Sequence, residues 1–549
     1  MSANIDVDAP SAVSRSHSRT GKQWIERWDP EDETFWASEG SAVARRNLIV
    51  SIFTDHIGFC IWVMWTIVVL NLANAGIKLS ISQLFWLTAV PNLIGALLRI
   101  PYTFAIPRFG GRLWTTISAS VLFVPCLLLA VVVPSGWLAR QSPGTQFDVL
   151  LACAATAGLG GGNFASSMAN ISFFYPQSRK GFALGLNAAG GNLGVAVTQL
   201  LVPLVVIVGV PAAAVKLPIH HVHLAYAGLV WMPFVVLAAF CAWRYMDSLT
   251  QASADTSSYV KAARSPQTWI MSLLYIGTFG SFIGYSFALP LVIKNTFPEF
   301  LGHHVFIATY LAGLGFIGAL LGSIARPIGG LVSDRVGGAR VTLACFAGMA
   351  AFTLLAIAGV NDRSFPLFFG SYMGIFLFAG AGNGSTYRMI ASIFAELGDR
   401  EATATGRPHA DTRVEFRRRA AAVIGIAGAV GAFGGFLIQV AFRQASLHIT
   451  ALQTAATAAG AKKTAPLMKV IATSHDKVLV AHDKLLLAHD KAHGLLVKVA
   501  IARAHENWSI PALWFFLGAY VVLAGVTWIF YLRPAPAESR VPSLAGAAI

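Results

Sequence analysis

Apolar residues run through this chain in long stretches broken by short polar clusters, and that pattern predicts twelve helical spans. They fall near residues 48–74, 81–106, 112–135, 148–175, 181–208 and 223–244, then near 267–294, 304–332, 338–359, 364–394, 420–442 and 510–532. Run length carries the inference, since about 20 apolar residues in helical form cross a hydrocarbon core of ~30 Å. The expected fold is an all-α membrane protein. Composition agrees: of 549 residues 56% are hydrophobic and 12% charged, against about 25% charged in soluble domains.

The net charge of +15 would suit a nucleic-acid binder, but its placement argues otherwise. Arg45 and Arg46 precede the first span. Arg108 and Arg112, Arg179 and Lys180, Lys261 and Arg264, Arg335 and Arg340, and Arg417 to Arg419 mark the even-numbered loops, and Arg533 follows the last span. Odd-numbered loops hold little beyond Lys78, Arg140, Lys216 and Arg363. By the positive-inside rule both termini are expected in the cytoplasm of a cell whose inner membrane holds the protein. The basic excess is an orientation signal, and no nucleic-acid partner is implied. The five cysteines are scattered through apolar segments without metal-ligand spacing, so no metal or cofactor is expected.

The two sets of six spans are repeats. Arg99, Arg108, Gly110 and Gly111 match Arg326, Arg335, Gly337 and Gly338 at one constant offset. The fourth and tenth spans share G-x-G-N, ending at Asn163 and Asn383. The fifth and eleventh share Gly190 and Gly194 against Gly431 and Gly435. Such halves place a substrate at their interface near the bilayer midplane. The expected divisions are an N-terminal tail (1–46), a first half (47–246), a linker (247–265), helices 7–11 of the second half (266–443), an extramembrane insert (444–508), helix 12 (509–533) and a C-terminal tail (534–549). Gly330 to Arg340 (G-L-V-S-D-R-V-G-G-A-R) also resembles the loop motif of the major facilitator superfamily; in the copy near 103–112, Pro107 stands where that motif has its acid.

Charges within the spans carry the chemistry. An arginine in a membrane span costs roughly 2.5–3.5 kcal/mol even on an insertion scale, so a retained one has a role or a partner. Arg99 and Arg326 each precede the basic loop of their half by about 13 Å of helix, near mid-depth. Two facing guanidiniums repel unless an anion lies between them, and their planar forks suit a planar oxyanion. The structural alternative, an arginine held by backbone carbonyls or by an acid of the first span, explains one such residue more easily than a symmetric pair. Arg388 is either a third pathway charge or a packing residue. Asn163, Asn187 and Asn192 offer amides, and Phe59, Phe164, Tyr275 and Phe279 a dry wall. The glycine faces suit close helix packing. A membrane enzyme would need a nucleophile–base set or a metal cluster in the spans, and the sequence has neither.

Longer strings are more specific than any one motif. W-D-P-E-D-E-T-F-W (28–36), G-A-L-L-R-I-P-Y (95–102), G-N-F-A-S-S-M-A-N-I-S-F-F (162–174), G-L-N-A-A-G-G-N-L-G (185–194), Y-I-G-T-F-G-S-F-I-G (275–284) and G-N-G-S-T-Y-R-M-I (382–390) resemble the nitrate/nitrite porters of the major facilitator superfamily. The resemblance spans 24–442 and 510–532. It implies that Arg99 and Arg326 hold nitrate with help from Asn192 and Tyr275, with Phe59, Phe164 and Phe279 packed around the anion. It also implies gating by the glycine segments 185–194 and 425–435, which contain Gly190, Gly194, Gly431 and Gly435. Where some members carry a serine in the eleventh span, this chain has Ala427 or Gly428.

Coupling is read from the first span, where Asp55 and His56 lie one helical turn before Phe59. Nitrate cannot carry its own proton, and importing one negative charge costs about 2.3 kcal/mol per 100 mV of interior-negative potential. Uptake must therefore be coupled to protons or to an outgoing anion such as nitrite. Family exchangers tend to be apolar at these positions and the proton-coupled branch carries an acid, so Asp55 and His56 are the candidate proton carriers. The expected function is nitrate/proton symport. Nitrate/nitrite exchange, nitrate sensing on the same fold, and another small anion such as formate or chlorate are the alternatives. A seven-residue repeat, S-H-D-K-V-L-V, A-H-D-K-L-L-L, A-H-D-K-A-H-G (474–494), predicts an amphipathic extramembrane helix; its four histidines are expected on a solvated face. Oligomeric state is not legible.

Overall fold

The computed structural model of the chain describes residues 15–17, 23–208, 222–252, 256–473 and 507–533. Twelve of its helices are long and apolar enough to cross a membrane: α1 (Glu33–Asn71), α2 (Ile81–Phe109), α3 (Gly111–Val131), α4 (Pro143–Phe174), α5 (Ser178–Val208), α6 (Tyr226–Tyr245), α7 (Pro266–Thr296), α8 (Ala312–Val336), α9 (Gly338–Asn361), α10 (Phe365–Thr405), α11 (His409–Leu447) and α12 (Ile510–Leu532). The protein is a multi-pass membrane protein. The 474–494 repeat lies outside the described residues.

Local chemistry sets the ends. Ser80 caps α2 with a reciprocal Gln83 pair, and Ser142 caps α4 just before Pro143. Asp32 accepts from the amides of Thr34 and Phe35 at the start of α1. Helices α2 and α8 both break at a left-handed glycine, Gly110 (φ 78°) and Gly337 (φ 97°), which the repeat pairs with one another. Over Gly110 lie Trp24 and Ser248 of a small sheet in which β1 (Arg15–His17) pairs antiparallel with β2 (Gln23–Ile25), and β2 pairs parallel with β3 (Ser248–Leu249). Trp28 anchors this corner edge-on against Phe174, ring centroids 5.4 Å apart.

Several helices depart from the expected boundaries, α1 beginning at Glu33 and α10 running on to Thr405 among them, and the eighth and eleventh depart for identifiable physical reasons. The eighth was expected from 304, but the backbone turns left-handed at Ala312, Gly313 and Leu314 and separates a short helix, Val305–Tyr310, from the long segment Gly315–Val336. Unbroken hydrophobicity hides that turn. The helix containing the eleventh span, expected over 420–442, runs from His409 to Thr473. Hydrophobicity marks only the part a bilayer would cover, while the alanine-rich continuation keeps high helix propensity.

The twofold relation of the halves shows in their interface. Helix α2 of the first half packs against α11 of the second, and its equivalent α8 packs against α5. Away from the basic loops the halves are tied together. Gln199 donates to the Ser286 carbonyl (2.6 Å), Thr88 donates to Gln439 (2.9 Å), Lys294 donates to the Leu70 carbonyl, and Trp62 meets Phe287 edge-on. Toward the basic loops the halves part around a cavity of about 1030 Å³. Lys180, Arg417 and Arg418 stand near its mouth, and Phe164, Tyr387 and Gly428 lie at its inner end.

Candidate functional site

Helix α2 carries Arg99 and α8 carries Arg326 to equivalent places, and both side chains are buried. Phe164 of α4 lies between them, its ring centre 4.7 Å from the Arg99 guanidinium carbon and 5.6 Å from that of Arg326. One aromatic ring therefore lies within cation–π range of both cations. Phe279 adds a second ring at 4.9 Å from Arg99, stacks on Tyr275 (5.3 Å) and lies parallel to Phe164 (6.0 Å). Phe59 closes the group edge-on to Phe164 at 5.9 Å. Arg99, Arg326, Tyr275, Phe59, Phe164 and Phe279 are thus gathered in one buried cluster at the end of the cavity.

The two arginines are held differently. Arg99 donates from Nε to the Gly161 carbonyl (3.2 Å) and from Nη1 to the Gly428 carbonyl across the interface (2.8 Å), and Nη2 has no hydrogen-bond partner among the described residues. The carbonyl explanation thus accounts for much of Arg99. It does not account for Arg326, whose Nη2 makes a long bond of 3.4 Å to the Tyr275 hydroxyl and whose Nη1 is likewise buried without a partner. The two cations also act on each other electrostatically. Two buried like charges, each with a bare donor beside a shared ring, offer the charge and the hydrogen-bond donors that a small anion would satisfy.

Asp55 is wholly buried on α1. Among the described residues no cation lies within ion-pair distance of it; Arg99 and Arg326 act on it from farther away. Its Oδ2 accepts from Ser167 at 3.2 Å, and its Oδ1 has no hydrogen-bond partner. The fixed counter-ion reading of Asp55 has no ion pair to rest on. His56 turns away, with Nδ1 2.9 Å from the Gly190 carbonyl oxygen. Asn192 is buried with neither amide atom hydrogen-bonded, so nothing ties it to the arginines. Asn163 accepts from Ser118 and Ser166. Arg388 is half-exposed and bound to Asp334 and Ser392, which joins α10 to the basic loop of α8.

The four glycines occupy tight crossings. A Cβ on Gly190 would meet Ile52 at 2.5 Å, on Gly194 the His56 carbonyl oxygen at 2.5 Å, on Gly431 the Tyr275 ring at 2.3 Å, and on Gly435 Ile283 at 2.7 Å. Close packing is the geometry seen at each. The sequence reading missed Tyr387, whose ring lies 5.1 Å from the Arg326 guanidinium carbon and 5.2 Å from Tyr275, and Trp62, 5.6 Å from Arg99. Tyr387 stands in the quoted string 382–390, one residue before Arg388, and the charge drew the attention.

Twelve candidate membrane spans in paired halves, with a buried cationic cluster at the end of a cavity, are the architecture of a membrane transporter. Residues 56–438 match the Major Facilitator Superfamily. The chain is 38% identical over 450 residues to the nitrate/nitrite transporter NarU of Escherichia coli (strain K12), covering 80% of this chain and 93% of that one. It is 36% identical over 427 residues to the probable nitrate/nitrite antiporter NarK2 of Thermus thermophilus, covering 75% and 88%. In fold it is similar to a bacterial homolog of the human lysosomal transporter Spinster, with a TM-score of 0.56 at 16% identity over 88% of this chain and 95% of that one. The chain belongs to the major facilitator superfamily, within its NarU/NarK group of nitrate/nitrite transporters.

Proposed function

We propose that this chain carries nitrate, and nitrite with it, across a bacterial inner membrane by alternating access, coupled to protons. The observation that carries the reading is the buried pair Arg99 and Arg326, each with an unpartnered nitrogen beside Phe164. Nitrate is planar and singly charged, and it accepts hydrogen bonds at three oxygens, which suits two guanidinium forks and an aromatic wall. The basic loops mark the cytoplasmic side, so both termini and the 247–265 linker lie there and the cavity is the inward mouth. Tyr387 and Phe164 form its inner end, between cytoplasm and site.

Asp55 is the proton carrier in this reading. It senses both arginines without pairing with either, so an anion that neutralises them alters its electrostatic surroundings. Anion and proton then favour each other's binding, the reciprocity that symport requires. Proteoliposome uptake of labelled nitrate, with and without an inward proton gradient and with and without internal nitrite, tests the coupling. Asp55→Asn is expected to bind nitrate yet fail to accumulate it on a proton gradient. Accumulation by that variant, or by the native protein only with nitrite inside, would transfer the reading to exchange, as the name of the Thermus relative suggests.

A further inference from the structure

The buried side chains around Asp55 make a hydrogen-bond chain that the transport reading does not use. Asn187 of α5 donates from Nδ2 to Ser167 Oγ of α4 (2.7 Å), and Ser167 donates to Asp55 Oδ2 of α1 (3.2 Å). All three residues are buried. The same Nδ2 also reaches Met168 Sδ at 3.5 Å, a weak acceptor, which is consistent with nitrogen on that side of the amide. An amide nitrogen cannot accept. Its N–H occupies a lone pair of the serine oxygen, so the serine's one proton is directed to the carboxylate. The chain has a fixed polarity, with every donor pointing toward Asp55.

We infer that Ser167 and Asn187 are positioning residues for proton coupling: they reserve Oδ2 of Asp55 as an acceptor and leave Oδ1 as the atom that takes and releases the proton. This rests on the proposed proton-carrier role of Asp55. Oδ2 is blocked in two ways, by the Ser167 hydroxyl and by α5, where even a Cβ on Gly191 would lie 2.9 Å from it. Oδ1 is buried with no hydrogen-bond partner. The charged groups acting on Asp55 are Arg99 from α2 and Arg326 from α8, while α4 contributes Ser167 and α5 contributes Asn187 and Gly191, all neutral. His56, next on α1, faces Gly190. The donor chain is thus the only neutral hydrogen bond on the carboxylate among the described residues, and it favours the charged form.

Removing it should change when Asp55 takes a proton without changing the anion receptor. Proton-driven nitrate uptake would be measured across external pH in proteoliposomes holding the native protein, Ser167→Ala, Ser167→Thr, Asn187→Leu or Asp55→Asn, with nitrate affinity measured in parallel at one alkaline pH. A hydrogen bond to a charged group is worth about 1.5 kcal/mol, or about 1 pH unit. Ser167→Ala is expected to move the half-maximal pH alkaline by about that amount at unchanged nitrate affinity. Ser167→Thr, which keeps the hydroxyl, should restore the native profile, and Asn187→Leu should give a smaller shift of the same sign. If Asp55→Asn abolishes accumulation while Ser167→Ala leaves the profile unmoved, the donor chain has no role in coupling. If Asp55→Asn still accumulates nitrate, the proton-carrier reading itself falls, and the inference with it.

Discussion

Arg326→Lys separates receptor from scaffold. Lysine keeps the charge but replaces a planar fork by a single point donor. Among the described residues the Arg326 side chain makes one long hydrogen bond, to Tyr275 at 3.4 Å, so the fold should lose little when it is replaced. An anion held by a guanidinium loses one of two parallel charge-assisted bonds, worth about 1.5–3 kcal/mol. At 1.4 kcal/mol per decade that is roughly a ten- to hundredfold weaker Kd for nitrate. Arg99→Lys is less clean, because it also strips the Gly161 and Gly428 carbonyls of their donors, at about 1–3 kcal/mol each. The expected pattern is therefore weak binding at native Tm for Arg326→Lys, and weak binding at lowered Tm for Arg99→Lys. Calorimetric titration of purified protein with nitrate, beside thermal unfolding, reads both quantities. A Kd for Arg326→Lys within twofold of native would remove this residue from the receptor.

Other substitutions follow from the same geometry. Gly431→Ala places a methyl 2.3 Å from the Tyr275 ring, which is packed between Phe279 and Tyr387, so nitrate affinity should fall before stability does. Gly194→Ala meets a backbone carbonyl instead, and its first effect should be a lowered Tm or lost expression. At Gly190 the atoms nearest an added Cβ belong to the Ile52 side chain, so if this glycine gates, Gly190→Leu should insert and bind nitrate but show no flux in proteoliposomes. Asp247→Ala removes the acceptor that Arg46 and Asn47 of α1 share, which should cost about 1–3 kcal/mol in unfolding without altering nitrate Kd.

What was legible in the sequence depended on repetition. Arg99 and Arg326 stood out because the same offset relates their loops, and Gly110 and Gly337 share a left-handed break for the same reason. The aromatic wall was legible through family strings, since single phenylalanines in a membrane helix carry no signal. Hydropathy could not show the turn at Ala312–Leu314, because an apolar run reads the same whether or not the backbone bends. It could not show the Ser167–Asn187 chain either: small polar residues in glycine-rich helices read as packing until the neighbouring helix is placed. Unequal tethering of the two arginines was equally hidden, because it depends on the Gly161 and Gly428 backbone, which any residue could supply.

That inequality bears on how the halves can move around an anion. Arg99 belongs to the first half, yet its 2.8 Å bond to Gly428 crosses the α2–α11 interface and ties it to the second. On the equivalent interface, α8–α5, the repeat that pairs Gly190 with Gly431 sets Asn187 opposite Gly428, and Asn187 is turned to Ser167. Among the described residues Arg326 makes no hydrogen bond to a carbonyl across that interface, and its side-chain hydrogen bond is to Tyr275 within its own half. In the proposed alternating-access cycle, rocking the halves would strain the Arg99 tether and let Arg326 travel with its half. On that reading Arg99 would be the fixed jaw and Arg326 the mobile one. An anion bridging them would offset repulsion that otherwise grows as the jaws approach, so closure should be favoured only with the anion bound. Asp55, the proposed proton carrier, belongs to the same half as the tethered Arg99 and on this reading would hold its proton while the other half moves.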